Sequence, residues 1–418
     1  MKSPRKAILG ATTGLATLLS AQTLSAVEIE YWQYIFDTRV QAMDILIERF
    51  EEENPGITVN HSTFPLADYR TRLAAAIPAG QGPDVMQLFY GWLDSYVDEG
   101  LIQPLPADTF DPDMIGEEFF PMVGAMMRDG AYMALPTAVR SLALFYNTRL
   151  MEAAGLDSPP ETLEEMIEMA REMTIRDGAG NFSQVGITSG MTAQDHHWFR
   201  EVLTRQHGAE PYLDDYRTVN YATPEGIAAF EFYTGMETEE LVTQSGFMDE
   251  PQAAFRAGRA GMHIDGSFRI GALEGTRGLE WGVAPLPLSA DGVAANYGSY
   301  WVNAITQRAQ DERKEAAVKF MEFIVSEEAM QLWLDVVGEL PARPSVALTE
   351  DNLANPVYGP FIEGLEGAHT TLFVDETAQR QVLVDAVQRV LLQGMSPAES
   401  LTMAQEAEQA IIDRAQGN

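Results

Sequence analysis

Six histidines and 62 acidic residues are the side chains most able to bind metal or move protons. Only Asp195-His196-His197 clusters histidines, and neighbouring residues in regular structure point in different directions, so this spacing is a weak metal pattern. Exposed polar residues beside Trp198, or a pocket wall, explain the pair better, and no metal is assigned. The carboxylates could supply a glycosidase pair, but none stands out. The chain carries no phosphate loop of the Walker type, no glycine fingerprint, no His-Glu-x-x-His and no Gly-x-Ser-x-Gly elbow. Cysteine is absent, which removes thiolate catalysis, thiolate metal sites and disulfides. The expectation is a protein with no catalytic residue and no cofactor.

The aromatic residues carry more information, because many sit beside polar or glycine neighbours instead of in apolar stripes. Trp32-Gln33-Tyr34, Phe89-Tyr90-Gly91-Trp92, His197-Trp198 and Tyr297-Gly298-Ser299-Tyr300-Trp301 are four such groups. A sugar presents apolar C–H faces and a rim of hydroxyls, so its site needs flat rings next to hydrogen-bonding groups. Core packing is the competing explanation for any single ring.

The elements that must position these groups read as α/β. Val27 to Trp32 predicts a strand, and Val40, Met43, Ile47 and Phe50 mark one face of a helix that Asn54-Pro55-Gly56 stops. Ile57, Val59, His61 and Thr63 alternate as a second strand, and Asp84 to Phe89 reads as a buried one. This β-α-β order implies a mostly parallel sheet. Thr162 to Glu165 and Ser396 to Glu399 fit capping boxes, and Pro224 and Pro397 suit first helical positions. Leu163, Met166, Ile167 and Ala170, like Ile227 and Phe230, form stripes of core-facing residues.

Lys2, Arg5 and Lys6 precede an uncharged run from Ala7 to Ala26, the pattern of a signal peptide over 1–26, cleaved after Ala26 or after Ser25. Its apolar part is too short to span a bilayer. With no cysteine for lipid attachment, the expected location is the periplasm, free of any anchor. The net charge of −35 argues against nucleic acid as a partner. A chain of 418 residues exceeds what one core serves, so two domains are expected.

Several motifs, in this order, resemble the solute-binding proteins of ATP-driven importers, in the branch that includes the maltose-binding proteins. They are Phe50-Glu51-Glu52-Glu53-Asn54-Pro55-Gly56-Ile57, Gly82-Pro83-Asp84-Val85, Gly100-Leu101-Ile102-Gln103-Pro104-Leu105, and Ala134-Leu135-Pro136 with Leu144-Phe145-Tyr146-Asn147. Ala154-Gly155-Leu156, Phe255 to Met262, Asp265-Gly266-Ser267-Phe268 and Gly338 to Arg343 follow. The resemblance implies a two-lobed periplasmic-binding-protein fold of type II, each lobe a mostly parallel sheet flanked by helices. It places 27–135 with 284–335 in the first lobe, 136–283 with 336–418 in the second, and the hinge at the crossings.

It further implies a monomer that closes on a sugar or sugar derivative and passes it to the permease subunits of an importer. Carried over motif by motif, the ligand residues are Gln33, Tyr34, Phe89 and Tyr90 from the first lobe. His197, Trp198, Phe268 and the Gly298, Tyr300, Trp301 loop complete the wall. Arg140 falls where the maltose branch uses a glutamate, and a donor-only arginine suits an acid group better than a sugar hydroxyl. Arg269 and Arg343 stand in other cleft motifs. Local pairing with Asp or Glu is the alternative reading of all three arginines.

Overall fold

The computed structural model describes residues 26–213 and 217–415. The leader expected at 1–26 therefore lies, apart from Ala26, outside the described residues. Val27–Tyr34 runs straight into the helix Asp37–Glu53, and Asn54 ends that helix before the strand Ile57–Phe64. The buried face of the helix starts one residue earlier than the apolar pattern indicates: Arg39, Met43, Ile47 and Phe50 point inward, and Val40 is only half-buried. A charged side chain occupies the first inward position, and it has partners there.

The first sheet has six strands, in the order Leu340–Pro341, Leu135–Arg140, Ser299–Ile305, Val85–Phe89, Val27–Tyr34, Ile57–Phe64. The second has five, in the order Trp281–Ala284, Leu142–Asn147, Ala260–Gly266, Phe182–Ile187, Ile175–Arg176. Helices cover both. Each sheet is mixed instead of mostly parallel. Val27–Tyr34 lies parallel to both its neighbours, as the β-α-β reading requires, but Ser299–Ile305 runs antiparallel to Val85–Phe89. In the second sheet only Ala260–Gly266 with Phe182–Ile187 is parallel. Antiparallel pairing occurs beside the crossings, at Ser299–Ile305 with Leu135–Arg140 and at Trp281–Ala284 with Leu142–Asn147, and also at the far edge, where Ile175–Arg176 and Phe182–Ile187 form a short hairpin that must reverse direction.

The first exchange falls at Ser141, after the whole of Leu135–Arg140 has paired with Ser299–Ile305. The return runs through 285–298, and Asn296 binds the two crossings together. Its amide nitrogen donates to Leu142 O at 2.9 Å and its carbonyl accepts from Leu142 N at 3.0 Å. Leu340–Pro341 then pairs with Leu135–Arg140 in the first sheet, so the third crossing follows residue 341. The last two helices, Glu376–Gln393 and Pro397–Ala415, bury Leu383, Ala386, Leu401 and Ile412 in the second core.

Local chemistry fixes these elements. Thr162 accepts from Glu165 N at 3.2 Å, as a capping box requires, while the Glu165 carboxylate reaches Glu161 N instead of Thr162 N. Asp84 explains its motif: fully buried at a strand start, it accepts from Glu30 N at 2.8 Å and pairs with Arg308 and Arg313. One carboxylate thus ties the first strand to the segment after Ser299–Ile305.

Candidate functional site

At one end of the first sheet, Tyr34, Arg39, Arg140 and Glu339 converge. The helix Glu327–Val337 stops at Gly338, whose φ of 75° turns the chain so that Glu339 points inward. Arg39 Nε donates to Glu339 Oε2 at 3.0 Å, and Arg140 Nε donates to Oε1 at 2.7 Å. Trp333 Nε1 adds a bond to Oε2 at 3.0 Å, and Tyr34 OH accepts from Arg39. Arg39 is 1% exposed. Two guanidiniums share one carboxylate, so the cluster holds one more positive than negative group. Burial is the largest single influence and works against the charge on Arg140, but Glu339 together with Tyr34 and Tyr297 outweighs it and holds the guanidinium protonated.

A cavity of about 10 Å³ opens between this cluster and Gln87, Thr137, Trp301 and Asn303, room for about one water. Asn303 donates to Thr137 at 3.1 Å and accepts from Tyr31 OH at 2.9 Å. Gln33 is fully buried, and neither its amide nitrogen nor its oxygen has a hydrogen-bond partner; Gln87 Oε1 is likewise unmatched. Buried orphans of this kind cost about 1–3 kcal/mol each unless a water or ligand meets them.

Beside the polar groups stands an aromatic wall. Trp301 lies 4.3 Å from Tyr34, 5.3 Å from Trp92 and 5.6 Å from Phe89 between ring centroids. Strand register puts Trp301 directly opposite Phe89. Phe89, Trp92 and Trp301 are all half-buried, which leaves ring surface for a ligand. Gly91 lets this turn approach Phe373, since a Cβ at that position would stand 3.0 Å from the Phe373 Cβ.

Facing this wall, Tyr297 stacks flat on His197 at 3.7 Å and 8°, and its hydroxyl meets that of Tyr90 at 3.1 Å. Phe268 lies under two cations, Arg140 at 5.2 Å and Arg269 at 5.3 Å. Of the residues expected at the site, Arg140 and Trp301 line the cavity, Tyr34 and Phe89 pack on Trp301, Phe268 lies under Arg140, Tyr90 and His197 both meet Tyr297, and Gln33 is buried. Others are held elsewhere. Trp198 packs inside the second core against Tyr233. Tyr300 is 1% exposed and its hydroxyl donates to Met122 O at 2.7 Å. Gly298 serves packing, because a side chain there would strike Met122 Sδ. Arg343 pairs with Glu118 and covers Phe119, and Arg269 donates to Asp265 at 2.7 Å. Local pairing is thus what all three arginines do, and Arg140 alone of the three shares its carboxylate with a second arginine.

Residues that the sequence reading did not place among the ligand contacts complete the region: Arg39, Gln87, Trp92, Asn303, Trp333, Glu339 and Phe373. Trp92 and Glu339 lie inside recognised motifs, whereas Arg39 is visible only as a charge in an otherwise apolar helix register.

Asp195, next to the histidines, is fully buried; burial pushes its carboxyl up to about 6, against the pull of bonds from Gly190 N and Tyr233 OH at 2.8 Å each. The native state therefore keeps a proton that the unfolded chain gives up near pH 4, and stability drains away as pH rises from about 4 to 6. Asp195→Asn, which keeps an acceptor for both donors, is expected to gain about 3 kcal/mol relative to the parent at pH 7.5 and nothing near pH 4. Urea midpoints of the two proteins across this range check it; equal midpoints at pH 7.5 refute it.

The family model for bacterial extracellular solute-binding proteins matches residues 46–357. The maltotriose-binding protein of Pyrococcus abyssi is 26% identical over 352 residues, covering 82% of this chain and 72% of that protein. The sn-glycerol-3-phosphate-binding periplasmic protein of Pectobacterium atrosepticum is 22% identical over 353 residues, covering 78% and 75%. The crystal structure of a cyclic α-maltosyl-1,6-maltose binding protein from Arthrobacter globiformis superposes with a TM-score of 0.81 at 20% identity, over 93% of this chain and all of that one. The two mixed sheets, the three crossings and this match together show the two-lobed fold of type II binding proteins. With three quarters of its length matched by the family model, the chain belongs to the bacterial extracellular solute-binding proteins, a family that captures solutes without catalysis.

Proposed function

We propose that this protein is the periplasmic receptor of an ATP-driven importer, and that its solute is a carbohydrate captured by closure of the two lobes. The lobes would move about the crossings at Ser141, 285–298 and after residue 341, where Asn296 keeps the first two strands of the hinge in register. The observation that carries the reading is the half-buried wall of Phe89, Trp92 and Trp301 set against the Arg39, Gln87 and Asn303 polar groups. Flat rings beside fixed donors and acceptors match the two faces of a sugar. The sugar-binding relatives support the same reading. The cavity of about 10 Å³ is far too small for a sugar ring, so the lobes must part to admit one.

A second reading is favoured by the charge count at Glu339. Two arginines on one carboxylate leave a positive excess facing the cavity, suited to a sugar acid or phosphate, and one relative binds glycerol phosphate. A calorimetric screen of neutral and acidic sugars separates the two. Trp301→Ala is expected to weaken the bound sugar about 30-fold in either case, the scale of an aromatic anchor near 2 kcal/mol. Arg140→Ala abolishes binding, and added salt weakens it, only if the ligand is anionic. No heat from any sugar, with the protein folded, would sink both readings.

A further inference from the structure

We propose that His196, His197 and Glu376 form a binding site for a divalent transition metal of the zinc class. One donor atom from each of the three lies within 4.8 Å of the others. Adjacent histidines normally diverge, yet these rings stand 3.7 Å apart, directly before the π-helical segment Trp198–Leu203. The third donor comes from the first residue of the helix Glu376–Gln393, nearly 180 residues further along the chain. That position is fixed: Asp375 caps the helix through Ala378 N at 3.0 Å, and Gln379 accepts from Val374 N at 2.9 Å.

The unsatisfied atoms point the same way. His196 and His197 are 1% and 4% exposed, and the Nδ1 of each has no hydrogen-bond partner. A histidine coordinates through a ring nitrogen that carries no proton, and an unpartnered Nδ1 leaves that atom free to do so. Tyr297, stacked flat on His197, holds the plane of that ring. Two nitrogens and one carboxylate oxygen with a fourth position for water is a zinc-like donor set; calcium and magnesium ask for oxygens. Tetrahedral zinc needs donors about 3.4 Å apart, so the three side chains close in slightly around the ion. Two arginines bear on the site. Arg200 is engaged by Glu408 at 2.8 Å, while Arg380, one turn beyond Glu376, places a positive charge that opposes a cation there.

The test uses the full chain freed of metal with a chelator. Titration with Zn²⁺ at pH 7.5 is expected to show one equivalent bound, and Co²⁺ to give the visible absorption of a four-coordinate site with nitrogen ligands. Glu376→Gln and His197→Gln should each weaken Zn²⁺ at least 10-fold, and Glu231→Gln, an exposed acid elsewhere, should leave it unchanged. Failure of the chain to take up Zn²⁺, or no visible band with Co²⁺, overturns the proposal. So does uptake that survives in Glu376→Gln, which would assign the ion to surface carboxylates. Glu376 is only half-buried at a helix start, so that variant folds and decides the matter even where a histidine variant does not.

Discussion

Glu339→Ala is expected to lower stability by about 3–5 kcal/mol, the cost of leaving buried charge without its partner. Glu339 is 5% exposed and takes bonds from Arg39, Arg140 and Trp333. Its removal leaves two guanidiniums without the carboxylate they share. Glu339→Gln keeps an acceptor for Trp333 but loses the charge, so it should fall between. Arg140→Met should cost less than Arg39→Met, because its side chain is 16% exposed against 1% and Glu339 keeps its other arginine. Urea unfolding of the four variants gives the order. Phosphate or sulfate should recover part of the loss in Glu339→Ala by occupying the vacated anion position. A loss below 1 kcal/mol would mean that water reaches the cluster freely, and would remove the positive excess as an argument for an anionic solute.

That cluster also shows where sequence reading stops. The strands Val27–Tyr34, Ile57–Phe64 and Val85–Phe89, and the helix starts at Thr162, Thr223 and Ser396, were legible because each is set by neighbours within a few residues: alternation, a capping hydroxyl, a proline. The sense of the strands near the crossings was not. Leu135–Arg140 and Leu142–Asn147 are separated by one residue yet serve different sheets, and their partners, Ser299–Ile305 and Ala260–Gly266, are more than a hundred residues away. No local pattern distinguishes the residue at which a chain changes sheets.

The site divides along the same line. Aromatic residues next to glycine or polar neighbours pointed to Tyr34, Phe89, Tyr90 and Trp301, since short apolar context is a local signal. The same signal selected Trp198 and Tyr300, which share that context but bury their rings in cores. Arg39 went unnoticed because a solvated charge is the ordinary reading of an arginine near a helix start. Glu339, some 300 positions later, is what makes its burial tolerable. Pairings over such distances belong to the fold alone, as does the meeting of Glu376 with His196 and His197.

Glu408→Ala is the second large effect expected, at about 3–5 kcal/mol. Glu408 sits fully buried on the final helix, Pro397–Ala415, and receives Arg200 at 2.8 Å, Tyr221 at 3.0 Å, and Tyr212 and Gln379 at 3.1 Å each. Arg200 belongs to the π-helical segment and Gln379 to the helix Glu376–Gln393, so one carboxylate joins three elements of the second lobe. Two of the Arg200 nitrogens, Nε and Nη1, already lack partners, and the loss of Glu408 would strand the remaining charge in apolar surroundings. Glu408→Gln would still accept from the tyrosines but could not neutralise Arg200, so most of the loss should persist. The double variant Arg200→Met with Glu408→Met removes both charges together and should recover much of the stability, as buried ion pairs replaced by apolar residues do. Hydrogen exchange locates the damage. In Glu408→Gln the amides of 198–206 and 397–415 should lose protection while those of Val27–Tyr34 and Val85–Phe89 keep theirs, since the bonds that Glu408 accepts come from residues of the second lobe. Equal loss in both lobes would show that the two unfold as one unit, and that the final helix supports the whole molecule instead of the second lobe alone.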